Sequence, residues 1–191
     1  MAIVSDVTEP RDEETRRFLE RVARAGEGRV LNVFRATAHS PELALTWWDM
    51  MRVALTRLSL APRLRELAIL RLFLLARVPY GFAHHVAIAR RLGMRDDEIW
   101  AVRDYESSPA LGEMERLVLR YTDATVTLDG RAPSLGRELL RYLSERELVE
   151  LTFCIGIWSM MARLLNALAI EMDEGTESLL PDWWRQEKAA P

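Results

Sequence analysis

Residues 62–93 read PRLRELAILRLFLLARVPYGFAHHVAIARRLG, and this stretch decides the fold. From Pro62 to about Arg77 the apolar side chains Leu64, Leu67, Ala68, Ile69, Leu70, Leu72, Phe73, Leu74 and Leu75 fall on nearly every face, the pattern of a helix buried all round. Pro62 and Pro79 each stand where a helix tolerates a missing N–H, at its first turn, and Gly93 is the residue expected just past a helix end. The stretch therefore predicts two helices joined at Val78-Pro79. One carboxylate, Glu66, lies inside the oily first helix, on a stripe with Leu70 and Phe73. An ionised carboxylate is costly to bury without a partner, so Glu66 requires a histidine or arginine neighbour, or a raised pKa. Arg71 lies on a different face of the same helix.

The second helix carries His84 and His85. Helical side chains lean toward the N-terminus, which sets His85 over Gly81 and Phe82 and His84 over Tyr80 and Gly81, with room beneath the imidazoles at Gly81. Adjacent residues point about 100° apart, so one imidazole is expected to face a cavity and the other a surface or interface. A hairpin closing at Val78-Pro79 runs Glu66 and His85 back toward each other. Such a pair is either a general base, with the carboxylate fixing the tautomer of the ring, or a satisfied buried pair with a structural role; the residues alone leave both open. Glu66, His85 and His39 could in principle supply three metal ligands. No HxxxH or HExxH spacing exists and adjacent histidines chelate poorly, so neither a metal nor another cofactor is expected.

Working outward, Asp12 to Ala25 sets Phe18, Leu19, Val22 and Ala23 on one side, as a surface helix does, and Gly26 and Gly28 break it. Leu31–Thr37 forms a short helix. Ser40-Pro41-Glu42 combines a capping serine, a first-turn proline and an acid, and opens a helix to about Arg57 that carries Trp47 and Trp48. These two indoles read first as core; Trp48 is also a candidate for lining a ligand pocket. After Gly93, Asp96-Asp97-Glu98 starts a helix to about Tyr105, Leu111–Val126 is amphipathic, and Ser134–Leu143 is a short helix. Ser144-Glu145-Arg146-Glu147 has the form of a capping box and launches a long helix to about Met172. No strand alternation appears, so the expected fold is all-α: one domain over residues 1–191 with about seven or eight helices, residues 1–26 an N-terminal extension helix and 173–191 a C-terminal tail, polar apart from Trp183 and Trp184.

Composition narrows the chemistry. With 49% hydrophobic and 29% charged residues the chain is expected to be soluble and globular. A net charge of −3, with basic residues spread along the chain, gives no footprint for a phosphate backbone, so no nucleic-acid partner is expected. All but one of the 26 basic residues are arginines, the exception being Lys188, which argues against Schiff-base chemistry in the body of the fold. Cys154 is the only cysteine, so there is no CxxC and no thiolate zinc site. The apolar run Leu151–Ile170 is nearly long enough to span a bilayer, but Arg163 and Asn166 lie inside it. A helix-centre arginine costs at least about 2.5 kcal/mol to insert, so a buried core helix is expected. No secretory signal opens the sequence, and a cytoplasmic location is expected.

The segments Leu64-Arg65-Glu66-Leu67, Tyr80-Gly81-Phe82-Ala83-His84-His85, Leu92-Gly93 and Asp97-Glu98-Ile99 resemble the carboxymuconolactone decarboxylase family, which includes the alkyl hydroperoxidase D-like proteins. Asn32-Val33-Phe34-Arg35-Ala36, His39-Ser40-Pro41 and Leu164-Leu165-Asn166-Ala167-Leu168 extend the likeness over roughly residues 31–170. The resemblance implies the alkyl hydroperoxidase D-like helical fold and a homo-oligomer, trimer or hexamer. In the peroxidase branch it implies a glutamate, a CxxC with an intervening histidine, and a second histidine. By the glutamate-to-histidine spacing, Glu66 and His85 match, the intervening histidine falls on Tyr80, and the cysteines fall on Val78 and Gly81. Without thiols no peroxide-reducing nucleophile remains. What remains is acid–base chemistry on a small anionic lactone or cyclic acid, with Glu66, His85 and Tyr80 as the catalytic candidates. His84, Gly81, Phe73, Trp48, Arg71 and His39 are the substrate-binding candidates, and Arg71, Arg35 or an arginine of another subunit would hold a substrate carboxylate. The alternatives are a non-enzymatic oligomeric ligand-binding or scaffold protein and, more weakly, a peroxidase-related protein.

Overall fold

The computed structural model describes residues 2–187, with side chains to Trp184; Lys188 lies outside the described residues. They form ten α-helices: α1 (Glu13–Ala25), α2 (Asn32–Thr37), α3 (Pro41–Thr56), α4 (Pro62–Leu75), α5 (Pro79–Arg91), α6 (Asp96–Trp100), α7 (Glu113–Thr127), α8 (Ala132–Leu139), α9 (Glu145–Ala167) and α10 (Asp182–Glu187). A 3-10 turn, Thr176–Leu179, precedes α10, and the described residues contain no strand. The one helix with no counterpart in the sequence reading is six-residue α10, which lies in the stretch expected to be a polar tail.

The centre is α4. Its side chains from Leu64 to Leu70, with Leu72 and Phe73, are all buried, and it packs against α5, α7 and α9 at once. That arrangement is the physical content of an apolar pattern on every face. The turn from α4 to α5 is a Schellman motif: Val78 N–H bonds the Phe73 carbonyl, Arg77 N–H bonds Leu74, and Arg77 takes the left-handed conformation at φ 54°. Three residues thus reverse the chain, and Pro79 starts α5 antiparallel to α4. Gly93 closes α5 in the same way, at φ 83°.

Local signals hold at several termini and fail at others. The capping box of α9 forms, with Ser144 N–H on Glu147 at 2.8 Å and Glu147 N–H on the Ser144 hydroxyl at 3.3 Å. Ser40 stands at the N-cap of α3, but its side chain makes no capping bond. The helix expected from Asp96 to Tyr105 stops at Trp100. Two arginines claim the carbonyls that follow: Arg71 bonds those of Val102 and Arg103, and Arg116 those of Tyr105 and Ser108. Helix α8 begins two residues earlier than expected, and α9 ends at Ala167 instead of near Met172.

By length and composition α9 is the one described helix that could cross a membrane. Its stripe Leu151, Cys154, Ile155, Trp158, Ala162 and Leu165 is buried in the core. Beyond it the chain turns back beneath α5, where the 3-10 turn packs. Trp183 and Trp184 then settle on Phe82 of α5, at centroid distances of 6.1 and 4.6 Å.

Candidate functional site

Antiparallel α4 and α5 bring Glu66 and His85 together as the hairpin requires, with His85 Nδ1 2.6 Å from Glu66 Oε2. Glu66 is fully buried. Its second oxygen accepts from Arg65 Nε at 2.8 Å, and Arg65 in turn donates to the Leu55 carbonyl at the end of α3 at 2.9 Å. Burial works against the charged form of Glu66, but His85 and Arg65 outweigh it and hold the carboxyl below the usual carboxylate range. The partner required by the sequence is therefore double: the expected histidine, and an arginine one residue away.

His85 has a second bond. The indole Nε1 of Trp158, on α9, lies 2.7 Å from His85 Nε2. An indole nitrogen can only donate, so Nε2 must accept and the ring proton must sit on Nδ1, donated to Glu66. The Phe73 ring lies against the same imidazole, at 5.6 Å between centroids.

His84 belongs to a second carboxylate. Its Nε2 is 2.9 Å from Oδ2 of Asp173, which follows α9. The Tyr80 hydroxyl donates to the same oxygen and accepts from Val33 N–H at 3.3 Å. Oδ1 of Asp173 accepts from Asn32 N–H at 2.9 Å, at the start of α2, and the Asp173 carbonyl accepts from Thr176 N–H and its hydroxyl. Partial burial pushes the Asp173 carboxyl up, but bonds from His84, Tyr80 and Asn32 outweigh it and hold it below the ordinary value. Burial and the neighbouring Asp173 charge push the Tyr80 phenol far up. Tyr80, expected as a catalytic candidate, thus donates its hydroxyl proton to Asp173 and accepts from Val33 inside the protein.

Both histidines line one cavity of about 740 Å³. The expectation that only one could do so fails because the cavity is wide enough to wrap the face of α5, taking in Tyr80, Gly81, His84, His85, Ile88 and Arg91. Its apolar lining includes Phe34, Trp48, Met51 and Met161. Two guanidiniums, Arg29 beyond α1 and Arg91 at the end of α5, stand at its rim; both are exposed and make no ion pair among the described residues. Glu27 lines the same rim.

Of the residues singled out from sequence, Trp48, Tyr80, Gly81, His84 and His85 line this cavity, and Glu66 backs it through His85. Arg71, His39, Phe73 and Arg35 do not line it. Arg71 is bound by Asp123 at 2.6 and 2.9 Å and lies against the Tyr105 ring, locking the 101–112 loop to α7. His39 is exposed, with Nε2 2.9 Å from the Ser5 carbonyl, so it does not converge with Glu66 and His85. Phe73 is wholly buried behind the imidazole. The room expected beneath the imidazoles at Gly81 is taken by the Phe73 ring, which a Cβ at Gly81 would strike. Sequence reasoning missed Arg65, Trp158, Asp173, Arg29 and Arg91. Arg65, next to Glu66, and Arg91, seven residues past His84 on the same helix, were legible locally; Trp158, Asp173 and Arg29 meet the site through tertiary contacts that carry no local signal.

Residues 41–124 match the model of the carboxymuconolactone decarboxylase family. Uncharacterized protein YnjA of Escherichia coli strain K12 is 34% identical over 84 residues, which are 44% of this chain and 46% of that protein. The chain's match therefore spans about half the length of that curated relative. Among solved structures, a cysteine-to-alanine variant of the debrominase Bmp8 in complex with 2,3,4-tribromopyrrole has a TM-score of 0.78 at 20% identity, over 94% of this chain and 97% of that one. An uncharacterized peroxidase-related protein from Ralstonia eutropha JMP134, with an alkylhydroperoxidase AhpD core, has a TM-score of 0.74 at 17% identity, over 92% and 94%. At these identities the likeness is one of fold.

Proposed function

We propose, for a chain whose residues 41–124 carry the carboxymuconolactone decarboxylase family region on an alkylhydroperoxidase D-like helical fold, an enzyme that transfers a proton to or from a small anionic lactone or cyclic acid, with decarboxylation as the leading reaction. One observation carries this reading: two carboxylate-anchored imidazoles face a single apolar cavity whose rim holds two guanidiniums with no acidic partner among the described residues. An apolar cavity excludes water from a developing carbanion, an imidazole held by a carboxylate supplies or takes the proton, and a rim guanidinium binds the substrate carboxylate. The volume lies in the ordinary range for small-ligand sites, roughly 300–1,000 Å³. The likeness in fold to Bmp8, which holds 2,3,4-tribromopyrrole in its complex, supports a compact ring as the ligand.

Arg29 and Arg91 take the clamp role that Arg71 and Arg35 were candidates for. Thiol chemistry has little support: Val78 and Gly81 stand where the peroxidase branch has its cysteines. Burial also pushes the Cys154 thiol up to about 12, which leaves almost no thiolate at neutral pH.

We place the protein in the cytoplasm as a homo-oligomer. Exposed Val149, Phe153 and Met160 on α9, beside exposed Met50 and Val53 on α3, offer an apolar face for a second copy, and sedimentation velocity reads that directly. The non-enzymatic reading, a helical ligand-binding protein, draws support from the complete hydrogen bonding of Glu66, His85 and Trp158. Release of carbon dioxide from a panel of γ-lactone carboxylic acids separates the two. Turnover that falls in Arg29→Ala/Arg91→Ala through a raised KM supports the enzyme; binding of the same acids without turnover overturns it.

A further inference from the structure

The two cavity imidazoles differ in what their nitrogens have left to offer. On His85 nothing is left: Nδ1–H is given to Glu66, and the lone pair of Nε2 is taken by the Trp158 indole. To exchange a proton with a ligand, His85 must first break a buried bond. On His84 the Asp173 carboxylate accepts from Nε2–H, and Nδ1 has no partner among the described residues. The His84 side chain keeps 22% of its surface exposed, against 6% for His85.

Asp173 is itself fixed. Its two oxygens receive Asn32 N–H, the Tyr80 hydroxyl and His84, and Thr176 holds its carbonyl. The Tyr80 ring lies along the His84 ring at 4.8 Å. His84 shares a stripe of α5 with Gly81, Ile88 and Arg91, all on the cavity wall, and Arg91 stands seven residues on, about 10 Å along the helix. An acceptor nitrogen and a guanidinium with no ion pair among the described residues therefore face one apolar space from the same helix face.

We propose that His84, positioned by Asp173, is the proton-transfer group of this cavity, and that Glu66, His85 and Trp158 form a fixed wall beside it. The proposal rests on the proton-transfer reading above and deepens it. In the decarboxylation, the bond from the ring carbon to its carboxylate breaks, the electron pair passes into the ring as an enolate, and carbon dioxide departs. The enolate carbon then takes the proton from Nδ1 of the His84 imidazolium. Neutral His84 regains a proton from water, so each turnover releases one carbon dioxide and consumes one proton. Asp173 keeps Nε2–H bound throughout, which leaves Nδ1 as the only nitrogen that moves a proton.

Diethyl pyrocarbonate, which acylates an imidazole through a free lone pair, tests the assignment without a substrate. Peptide mapping of the native wild type is expected to find acylation at His84 and at exposed His39, none at His85, and new acylation at His85 in Trp158→Phe. Acylation of His85 at the rate of His84 in the wild type overturns the proposal, as does a native His84 that does not react. With the γ-lactone carboxylic acids as probes, His84→Ala is expected to lower kcat about 10²–10⁴-fold and to recover part of it with added imidazole. Asp173→Asn is expected to lower kcat at unchanged KM, and His39→Ala to leave both unchanged. Turnover retained by His84→Ala overturns this assignment. A wild type that turns over none of the acids while His84 is acylated overturns the proton-transfer reading itself.

Discussion

His85 Nε2 accepts a 2.7 Å hydrogen bond from the indole of Trp158, and that bond turns a recognisable Glu–His pair into a closed chain of three side chains. Each member is buried: Trp158 and Glu66 completely, His85 to 5% exposure. A chain with every donor and acceptor used holds α4, α5 and α9 in register. Removing one member strands the rest. Trp158→Phe leaves Nε2 of His85 as an unsatisfied buried acceptor and opens a small cavity, so it is expected to cost about 2–4 kcal/mol of stability. Urea unfolding of the variant reads this; a change below about 0.5 kcal/mol, the range of neutral surface substitutions, contradicts it.

Arg65 and Glu66 make the buried ion pair of the structure's centre, with Arg65 also tying the Leu55 carbonyl. Breaking a buried pair by removing one partner typically costs about 3–5 kcal/mol because the other charge remains desolvated. Arg65→Met is expected to fall in that range. Glu66→Gln in the same background is expected to restore part of the loss, because the uncompensated charge goes. Equal stability of Arg65→Met and the double variant would contradict an uncompensated Glu66 charge in Arg65→Met.

Adding a side chain at Gly81 is a packing problem. A Cβ would strike the buried Phe73 ring, which also lies against His85. Overpacking of this kind costs about 1–3 kcal/mol. Gly81→Ala is expected to lower stability by that amount, and Gly81→Ala/Phe73→Leu to regain part of it. A stable Gly81→Ala single variant contradicts the placement of the Phe73 ring.

Acid sensitivity follows from Asp173. Its carboxyl is held below its ordinary value of 3.8 in the folded protein, so near that pH the unfolded chain binds more protons than the native one. The contribution is complete above the ordinary carboxyl range and is lost as pH falls through the folded value. Unfolding free energy measured from pH 6 down to pH 3 is expected to fall more steeply for the wild type than for Asp173→Asn. Parallel curves would show that the carboxylate contributes nothing.

How much of this was legible follows from where each signal resides. Pro62, Pro79, Gly93 and the unbroken apolar pattern between them are local, and they specify the α4–α5 hairpin whose antiparallel packing places Glu66 on His85. Helix caps at Ser144 and Glu147 are local in the same sense. The end of α6 was not legible, because side chains of Arg71 and Arg116 from other helices take the carbonyls of the residues that follow it. Nor was Asp173, which lies 89 residues from His84 and reaches it only because the chain after α9 folds back beneath α5. Trp158 sits in an apolar run where nothing distinguishes it from a core indole. The sequence thus marked the histidine pair but ranked it by spacing, whereas hydrogen-bond partners from distant segments decide which imidazole is open.

The most direct measurement of the central claim is the long-range ¹H–¹⁵N correlation spectrum of the histidine rings at alkaline pH, where imidazoles are neutral and each tautomer has its own pattern. His39→Asn and His84→Asn supply the assignments. The expected result is His85 protonated on Nδ1 with Nε2 a hydrogen-bond acceptor, and His84 protonated on Nε2 with Nδ1 bare. A His85 ring protonated on Nε2, or a His84 ring protonated on Nδ1, would contradict the account.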